Sequence, residues 1–434
     1  MTKMARPPTP RAALAILTGL NFLNYLDRFI PAAILPTILT ELGLSDAKGG
    51  SLQTLFILTF VVVSPFAGWL GDRAPRFRLA AVGVFVWSVA TFASGLAPTY
   101  AFLVMARAFI GVGEASYVVV TPSLLSDFYP TQRRSSVLAI FYAAIPIGSA
   151  LGYVLGAQIA SHFGWRYAFF IAGVPGAALA TVLLFLRDPP RGGQDPRALR
   201  KAQELDDEEA RKKRAARATG SVSTIVSAAG AVRELALRRS FVYNTAAQTI
   251  FTFTVGGVAV WMPTYFIRER GLSLGAAGTA FGGVLALAGF AGTLLGGNLG
   301  DRLSRKRPDA HFLLSGVALI VSLPFTLLAV LSPTPAIFWP AMFVSLTLFF
   351  LTTGPLNAAM ANVLPAALRG RGFAVNTVAI HLLGDALSPW LIGVASDRMG
   401  LRAPILAASS LMVIAGAVLL MGRRALVRDL AAAA

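Results

Sequence analysis

The sequence predicts an all-α polytopic membrane protein: twelve transmembrane helices in two pseudo-symmetric six-helix bundles, with both termini cytoplasmic. Three observations predict it. Apolar residues make up 56% of the 434 and charged residues only 13%, about half the ~25% of a soluble domain. Apolar runs of about 20 residues, long enough to cross a ~30 Å hydrocarbon core, recur from end to end. Short motifs of the first half return in the second at a nearly constant offset.

Charges, Gly and Pro punctuate the runs near 12–39, 50–71, 79–96, 99–126, 135–160, 166–186, 240–267, 274–300, 311–331, 335–361, 372–395 and 403–422. The first follows Lys3, Arg6 and Arg11 and is too long for a signal-peptide core, so it reads as a retained span. Placing the N-terminus in the cytoplasm puts thirty of the 38 Lys and Arg on that side and six opposite. The positive-inside rule therefore sets the orientation. It also accounts for the net charge of +18 without a nucleic-acid partner. Residues 1–186 and 240–434 are the two bundles. Residues 187–239 form a basic linker whose run Glu204, Asp206, Asp207, Glu208, Glu209, Arg211, Lys212, Lys213 and Arg214 reads as solvated and close to membrane lipid headgroups.

The repeats carry the two-bundle reading. Gly68, Asp72, Arg73 and Arg76 after the second span return as Gly297, Asp301, Arg302 and Arg305 after the eighth. Leu35-Pro36-Thr37 matches Met262-Pro263-Thr264. Asp127, Pro130 and Arg134 match Asn362, Pro365 and Arg369, and Gly164 and Arg166 match Gly400 and Arg402. Internal repeats of this kind place a substrate site at their interface. Glycines four apart, Gly148, Gly152 and Gly156 on the fifth span and Gly292, Gly296 and Gly300 on the eighth, let backbones pack closely and offer a sliding surface.

Several chemistries are excluded. The chain has no cysteine, which removes thiol catalysis and disulfides, and its three histidines are scattered, which argues against a zinc site. No nucleophile with its base stands out, so the chain reads as no enzyme and as needing no cofactor.

The G-x-x-x-D-R-x-x-R run at 68–76 resembles the loop signature of the major facilitator superfamily. Gly68 lets a neighbouring helix approach. Asp72 is suited to accept from amides at a helix N-terminus, here the eleventh helix near 370–373. Arg73, Arg76 and Arg134 are suited to pair with Asp127 on the same face. Asp301, with Arg302 beside it, would aim at Ser135 and Ser136 on the fifth helix. Together these form a cytoplasmic gate that latches when the transporter faces outward.

Ionisable groups at bilayer depth are costly and usually functional. Asp27, Arg28, Arg107, Glu114, His381 and Asp385 qualify. Asp27 lies roughly 22 Å along the first helix, near the midplane. Arg107 and Glu114, two turns apart, share a face. Burial and a nearby guanidinium act on a carboxyl in opposite senses, so Asp27 balanced against Arg107 or Arg28 can load and release a proton. An anionic head group competing for the same arginine would couple substrate to proton. Thr377, His381 and Asp385 form one polar stripe, and Asn244, Gln248 and Thr252 another. Tyr25, Tyr117, Tyr142 and Tyr153 offer an amphipathic wall.

Asn24-Tyr25-Leu26-Asp27-Arg28, the 106–117 stretch with Arg107 and Glu114, and the 141–153 stretch resemble Spinster-like transporters over residues 21–176. The resemblance implies a proton-coupled carrier of a sphingolipid or lysophospholipid, with Asp27, Arg107 and Glu114 as the central charged cluster. It implies a monomer, and Ala/Arg-rich usage points to a bacterial inner membrane. Phe251, Phe253, Trp261, Phe281 and Phe290 suit an amphiphile. A carrier of a small organic anion or sugar derivative and a multidrug exporter are the alternatives. Tyr153 after Gly152, where the antiporter motif has proline, counts against the last.

Overall fold

The structure is a computed structural model that describes residues 7–191, 234–364 and 366–433. Most of the predicted linker, its charged run included, lies outside the described residues. The first six helices are α1 (Pro10–Leu42), α2 (Asp46–Gly71), α3 (Arg76–Gly95), α4 (Tyr100–Phe128), α5 (Thr131–Phe163) and α6 (Trp165–Leu184). Beyond the linker come α7 (Arg239–Arg270), α8 (Leu274–Ser304), α9 (Ala310–Leu331), α10 (Pro335–Leu351) and α11 (Thr353–Val363). The chain ends with α12 (Ala366–Ile380), a π-helical turn (His381–Asp385), α13 (Ser388–Met399) and α14 (Arg402–Ala433).

Among the described residues eleven helical segments are long and apolar enough to cross a membrane. They include α10 with α11 and α12 with α13, each pair taken as one continuous span. The 33-residue α1 is not among them. Asn21, Asn24, Asp27 and Arg28 dilute its hydropathy, although the helix is about 50 Å long.

Two spans expected to be single helices are interrupted, and proline explains both. Pro355 cannot donate to the Leu351 carbonyl and its ring crowds it, so α10 ends and α11 begins afresh at Thr353. Pro389 stands in the same relation to Asp385. The turn before it widens, with the Ala386 amide bonding His381 O at 3.0 Å.

The helix pairs α1/α5, α3/α6, α3/α4 and α2/α4 pack the first six helices, and α7/α14, α9/α14, α8/α10 and α9/α10 pack the rest. Gly148 and Gly152 sit so close to α1 that an added Cβ would lie 2.5 Å from Phe22 O and 2.6 Å from Leu26 O. The α8 stripe meets α10 in the same way, with Gly296 at 1.9 Å from Leu351 O. These stripes therefore weld α1 to α5 and α8 to α10. The sliding role expected of them is corrected: the junction of early and late helices uses Gly278 and Gly282 of α8 against Tyr153 and Ala150 of α5.

That junction lies at one end of the molecule. A buried apolar cluster there joins Leu35, Ile38 and Trp165 to Trp261, Tyr265 and Phe281. Tyr153 donates to Ala259 O at 2.8 Å, and Gln158 donates to Thr279 Oγ1 at 2.9 Å. Both chain ends lie at the other end, where Asp429 accepts from the Ser240 amide at the start of α7.

Candidate functional site

Halfway along the bundle α1, α2 and α4 bring their polar residues together. Arg28 Nη2 donates to Glu114 Oε2 at 2.5 Å, and Glu114 is fully buried. The Arg28 guanidinium also lies over the rings of Tyr25, Phe56 and Phe60, at 4.9, 5.2 and 5.5 Å from their centroids. Such cation–π contacts strengthen where water is excluded. Arg107 is 1% exposed. Its Nη2 donates to Gln53 Oε1 at 2.7 Å, and its guanidinium lies 4.5 Å from the Phe56 centroid. Both guanidiniums thus lie within 5.2 Å of the Phe56 ring centre.

The sequence expectation balanced Asp27 against Arg107 or Arg28, and the structure revises it. Arg28 is committed to Glu114. Adjacent helical residues diverge by about 100°, and the Arg28 side chain keeps 13% exposure while Asp27 is 3% exposed within the helix packing. Neither Asp27 oxygen has a hydrogen-bond partner among the described residues. The Trp87 indole N–H faces it but stands outside hydrogen-bond geometry. Arg107 makes no ion pair among the described residues, and its Nε and Nη1 are also unbonded. Asp27 and Arg107 are therefore two buried groups of opposite charge with bonding capacity to spare.

From the late helices the π turn brings His381 and Asp385 to the same level. Their side chains meet at 3.0 Å, and the His381 ring stands edge-on to Phe60 at 6.1 Å between centroids. Phe60 thus touches both pairs, with the Arg28 guanidinium over its ring and the His381 ring at its edge. Asn244 of the second predicted stripe is buried and bonds Leu356 O, while Gln248 bonds Asn244. Tyr117 and Tyr153 bond backbone carbonyls of Leu17 and Ala259, so they pack, and Tyr142 is largely exposed.

Beside this polar level α7–α11 and α14 enclose an apolar cavity of about 110 Å³. Phe251, Met262, Phe281, Leu346 and Phe349 line it, and the only polar lining groups are hydroxyls such as Thr326 and Ser345, which bond each other at 2.6 Å. Of the five aromatic residues expected to suit an amphiphile, Phe251 and Phe281 line the cavity. Trp261 is buried and donates to Pro389 O, Phe253 is half-buried outside the lining, and Phe290 points outward, 67% exposed.

At the terminal end the loop-signature residues divide. Arg76 is buried and pairs with Asp127 at 2.6 Å and with Asp188 at 3.6 Å. Asp188 also accepts from the amides of Arg76 and Phe77, capping α3 from a distance. Arg73 instead stacks on Trp69, and Arg134 donates to Ser126 O and Tyr129 O, so neither joins Asp127 in the way expected. Gly68 faces a neighbouring helix, α4, where an added Cβ would lie 3.4 Å from the Val119 side chain. The Asp72 side chain makes no bond among the described residues, and Arg191 covers the carbonyls of Gly71, Asp72 and Ala74 at the end of α2. Asp301 and Arg302 are exposed, and no bond joins Asp301 to Ser136 among the described residues. Sequence reasoning missed Gln53, Phe56, Phe60, Asp188 and Arg191. Gln53, Phe56 and Phe60 fall at i, i+3 and i+7 on the second span, a face legible only once the charges of α1 and α4 are known to meet it.

Long apolar helices around a buried charged cluster define a membrane transporter. The family model of the Major Facilitator Superfamily matches residues 17–389. Protein spinster homolog 1 of Homo sapiens is 34% identical over 411 residues, covering 90% of this chain and 74% of the relative. The sphingosine-1-phosphate transporter SPNS2 of Danio rerio is 31% identical over 415 residues, covering 91% and 78%. A crystal structure of a bacterial homolog to the human lysosomal transporter spinster, inward-facing and unoccupied, superposes with a TM-score of 0.83 at 22% identity, covering 98% of this chain and 99% of that one. The chain belongs to the Major Facilitator Superfamily and, within it, to the Spinster-like transporters.

Proposed function

We propose that this transporter works by alternating access and moves a single-chain amphiphile of sphingolipid or lysophospholipid type in exchange for, or together with, protons. One observation carries the reading: a buried arginine with unused donors, Arg107, shares the molecule with an apolar cavity of about 110 Å³. An amphiphile needs both an ionic anchor and an apolar recess. The names of its relatives, a sphingosine-1-phosphate transporter among them, agree with that chemistry. Asp27 is the proton carrier in this reading, because a proton gained or lost beside Arg107 changes the charge the arginine offers to a head group. His381 and Asp385 are the second protonatable pair.

The reading has twelve spans, with α1 as the twelfth, in bundles 1–186 and 240–434 joined by the cytoplasmic linker. Both termini face the cytoplasm of a bacterial inner membrane, and the protein acts as a monomer. The bonded end is then the outer end, and the conformation is inward-facing. Asp72, Arg73, Arg76, Asp127, Arg134, Asp301 and Arg302 are the cytoplasmic gate; in this state the Arg76–Asp127 pair is made, while the Asp72 and Asp301 carboxylates are unbonded among the described residues.

Reconstitution in liposomes tests the function. Lysophospholipid, sphingosine-1-phosphate and small organic anions are offered with an imposed pH gradient. The expected result is gradient-driven flux of a single-chain lipid that Asp27→Asn abolishes while leaving binding intact. Flux of small anions alone would overturn the lipid reading, and normal flux in Asp27→Asn the proton role of Asp27.

A further inference from the structure

The pattern G-x-x-x-D-R occurs a third time in the chain, at Gly393-Val-Ala-Ser-Asp397-Arg398, at the end opposite the termini. We propose that Asp397, with the Asp46–Arg268 pair, is the latch that holds this opposite end shut. The α2 helix and the eleventh span would then carry reciprocal carboxylate latches, one at each end. The inference rests on the alternating-access reading and on no particular substrate.

The geometry at this end is that of a closed latch. Asp397 Oδ1 accepts from the Asp46 amide at 2.7 Å and its Oδ2 from the Ala47 amide at 3.0 Å. The carboxylate therefore caps the first turn of α2, where unpaired amides and the helix dipole favour an anion. Asp46 in turn is 6% exposed. Arg268 Nη1 of α7 donates to its Oδ1 and Oδ2 at 2.9 and 2.8 Å, and Ser396 Oγ donates to Oδ2 at 2.6 Å. Three helices from the two halves of the sequence, α2, α7 and α13, converge on one carboxylate pair.

Glycine does here what the pattern requires. A Cβ on Gly393 would lie 2.4 Å from Asp46 O, and one on Gly50 would lie 2.1 Å from Pro389 O. Only bare backbones let α13 come close enough for Asp397, one turn later, to reach the α2 amides. The copy at Gly68 and Asp72 has the same spacing at the other end of α2, and there the Asp72 carboxylate is unbonded among the described residues. One helix pair thus shows its latch made at one end and unmade at the other. Alternation between two closed ends requires that relation, because both latches cannot be made while a pathway is open.

The chain has no cysteine, so a spin-label pair can be introduced at the exposed Ala101 and Met399 without removing native thiols. Distances are read in nanodiscs with no substrate present, so a chain that moves neither lipid nor proton still reports on the latch. The wild type is expected to show mainly the short separation. Asp397→Asn and Asp46→Asn should each raise the ratio of long to short separations about tenfold, the scale of a lost charge-assisted bond. Adding Arg268→Gln to Asp46→Asn should add little, since both act on one pair. Ser396→Ala, which removes one bond and no charge, should shift the ratio less and in the same direction, and stands in if a charge variant does not fold. Unchanged distances in Asp397→Asn, or in Ser396→Ala where it stands in, overturn the proposal.

Discussion

At the scale of single residues, the site is a problem of buried charge. Glu114 and Arg28 answer each other, while Asp27 and Arg107 keep unused bonding capacity. Removing one member of a buried pair strands the other, at about 3–5 kcal/mol. Glu114→Ala should therefore lower the unfolding free energy in detergent by roughly that amount, and the companion change Arg28→Met made together with it should recover much of the loss. Arg107→Gln should instead act on the ligand. It removes a charge that bonds only Gln53 among the described side chains, and binding of an anionic amphiphile, read by calorimetry, should weaken about tenfold or more. The charged residues of this site were legible in the sequence because ions are rare in apolar runs. Their pairing was not. Asp27 read as balanced against Arg107 or Arg28, and only the packing of α4 against α1 and α2 committed Arg28 to Glu114.

At the scale of elements, glycine and proline carry the argument. Gly296→Ala should destabilise by about 1–3 kcal/mol, because its Cβ would sit 1.9 Å from the Leu351 carbonyl. Gly297→Ala, one residue on with open space around it, should be neutral or slightly stabilising in the same melting experiment. The start of α9 offers a titration. Arg423 and Arg307 both bond Asp309. Burial pushes this carboxyl up, but the two guanidiniums outweigh it and hold it below its usual range. A carboxyl so depressed stabilises the fold above its unfolded value, about 3.9, and the gain is lost as pH falls through the lower folded value. Thermal stability should thus fall as pH drops below about 4, and Asp309→Asn should reduce that slope. The two helix breaks have a sequence cause in Pro355 and Pro389, yet the run of apolar residues around each reads as one span. A π turn and a restarted helix differ from a plain helix by only one or two backbone bonds, which hydropathy does not register.

At the scale of the whole molecule, the two ends of the bundle are in different states. One is bonded through Tyr153, Gln158, Asp46 and Asp397, while at the other Asp72 and Asp301 make no such bonds among the described residues. Asp72→Asn should accordingly change the unfolding free energy of this conformation by no more than about 0.5 kcal/mol, as for a surface substitution. A loss of several kcal/mol would mean that Asp72 already bears structural load here. The family follows from the whole chain rather than from the site, since the superfamily model spans 17–389 and the Spinster relatives about nine-tenths of the length.

By itself the sequence determined the class, the recurrence of motifs between halves and the identity of the buried charges. Each of these follows from composition along a line: apolar length, repeated spacing, and ions where ions are costly. Only the tertiary structure decided the partners. Arg28 with Glu114, Arg107 with Gln53, Asp188 on the α3 amides and Asp397 on the α2 amides join residues tens to hundreds of positions apart. Helical periodicity says which face a residue occupies, but the helix that faces it is chosen by packing of the whole bundle.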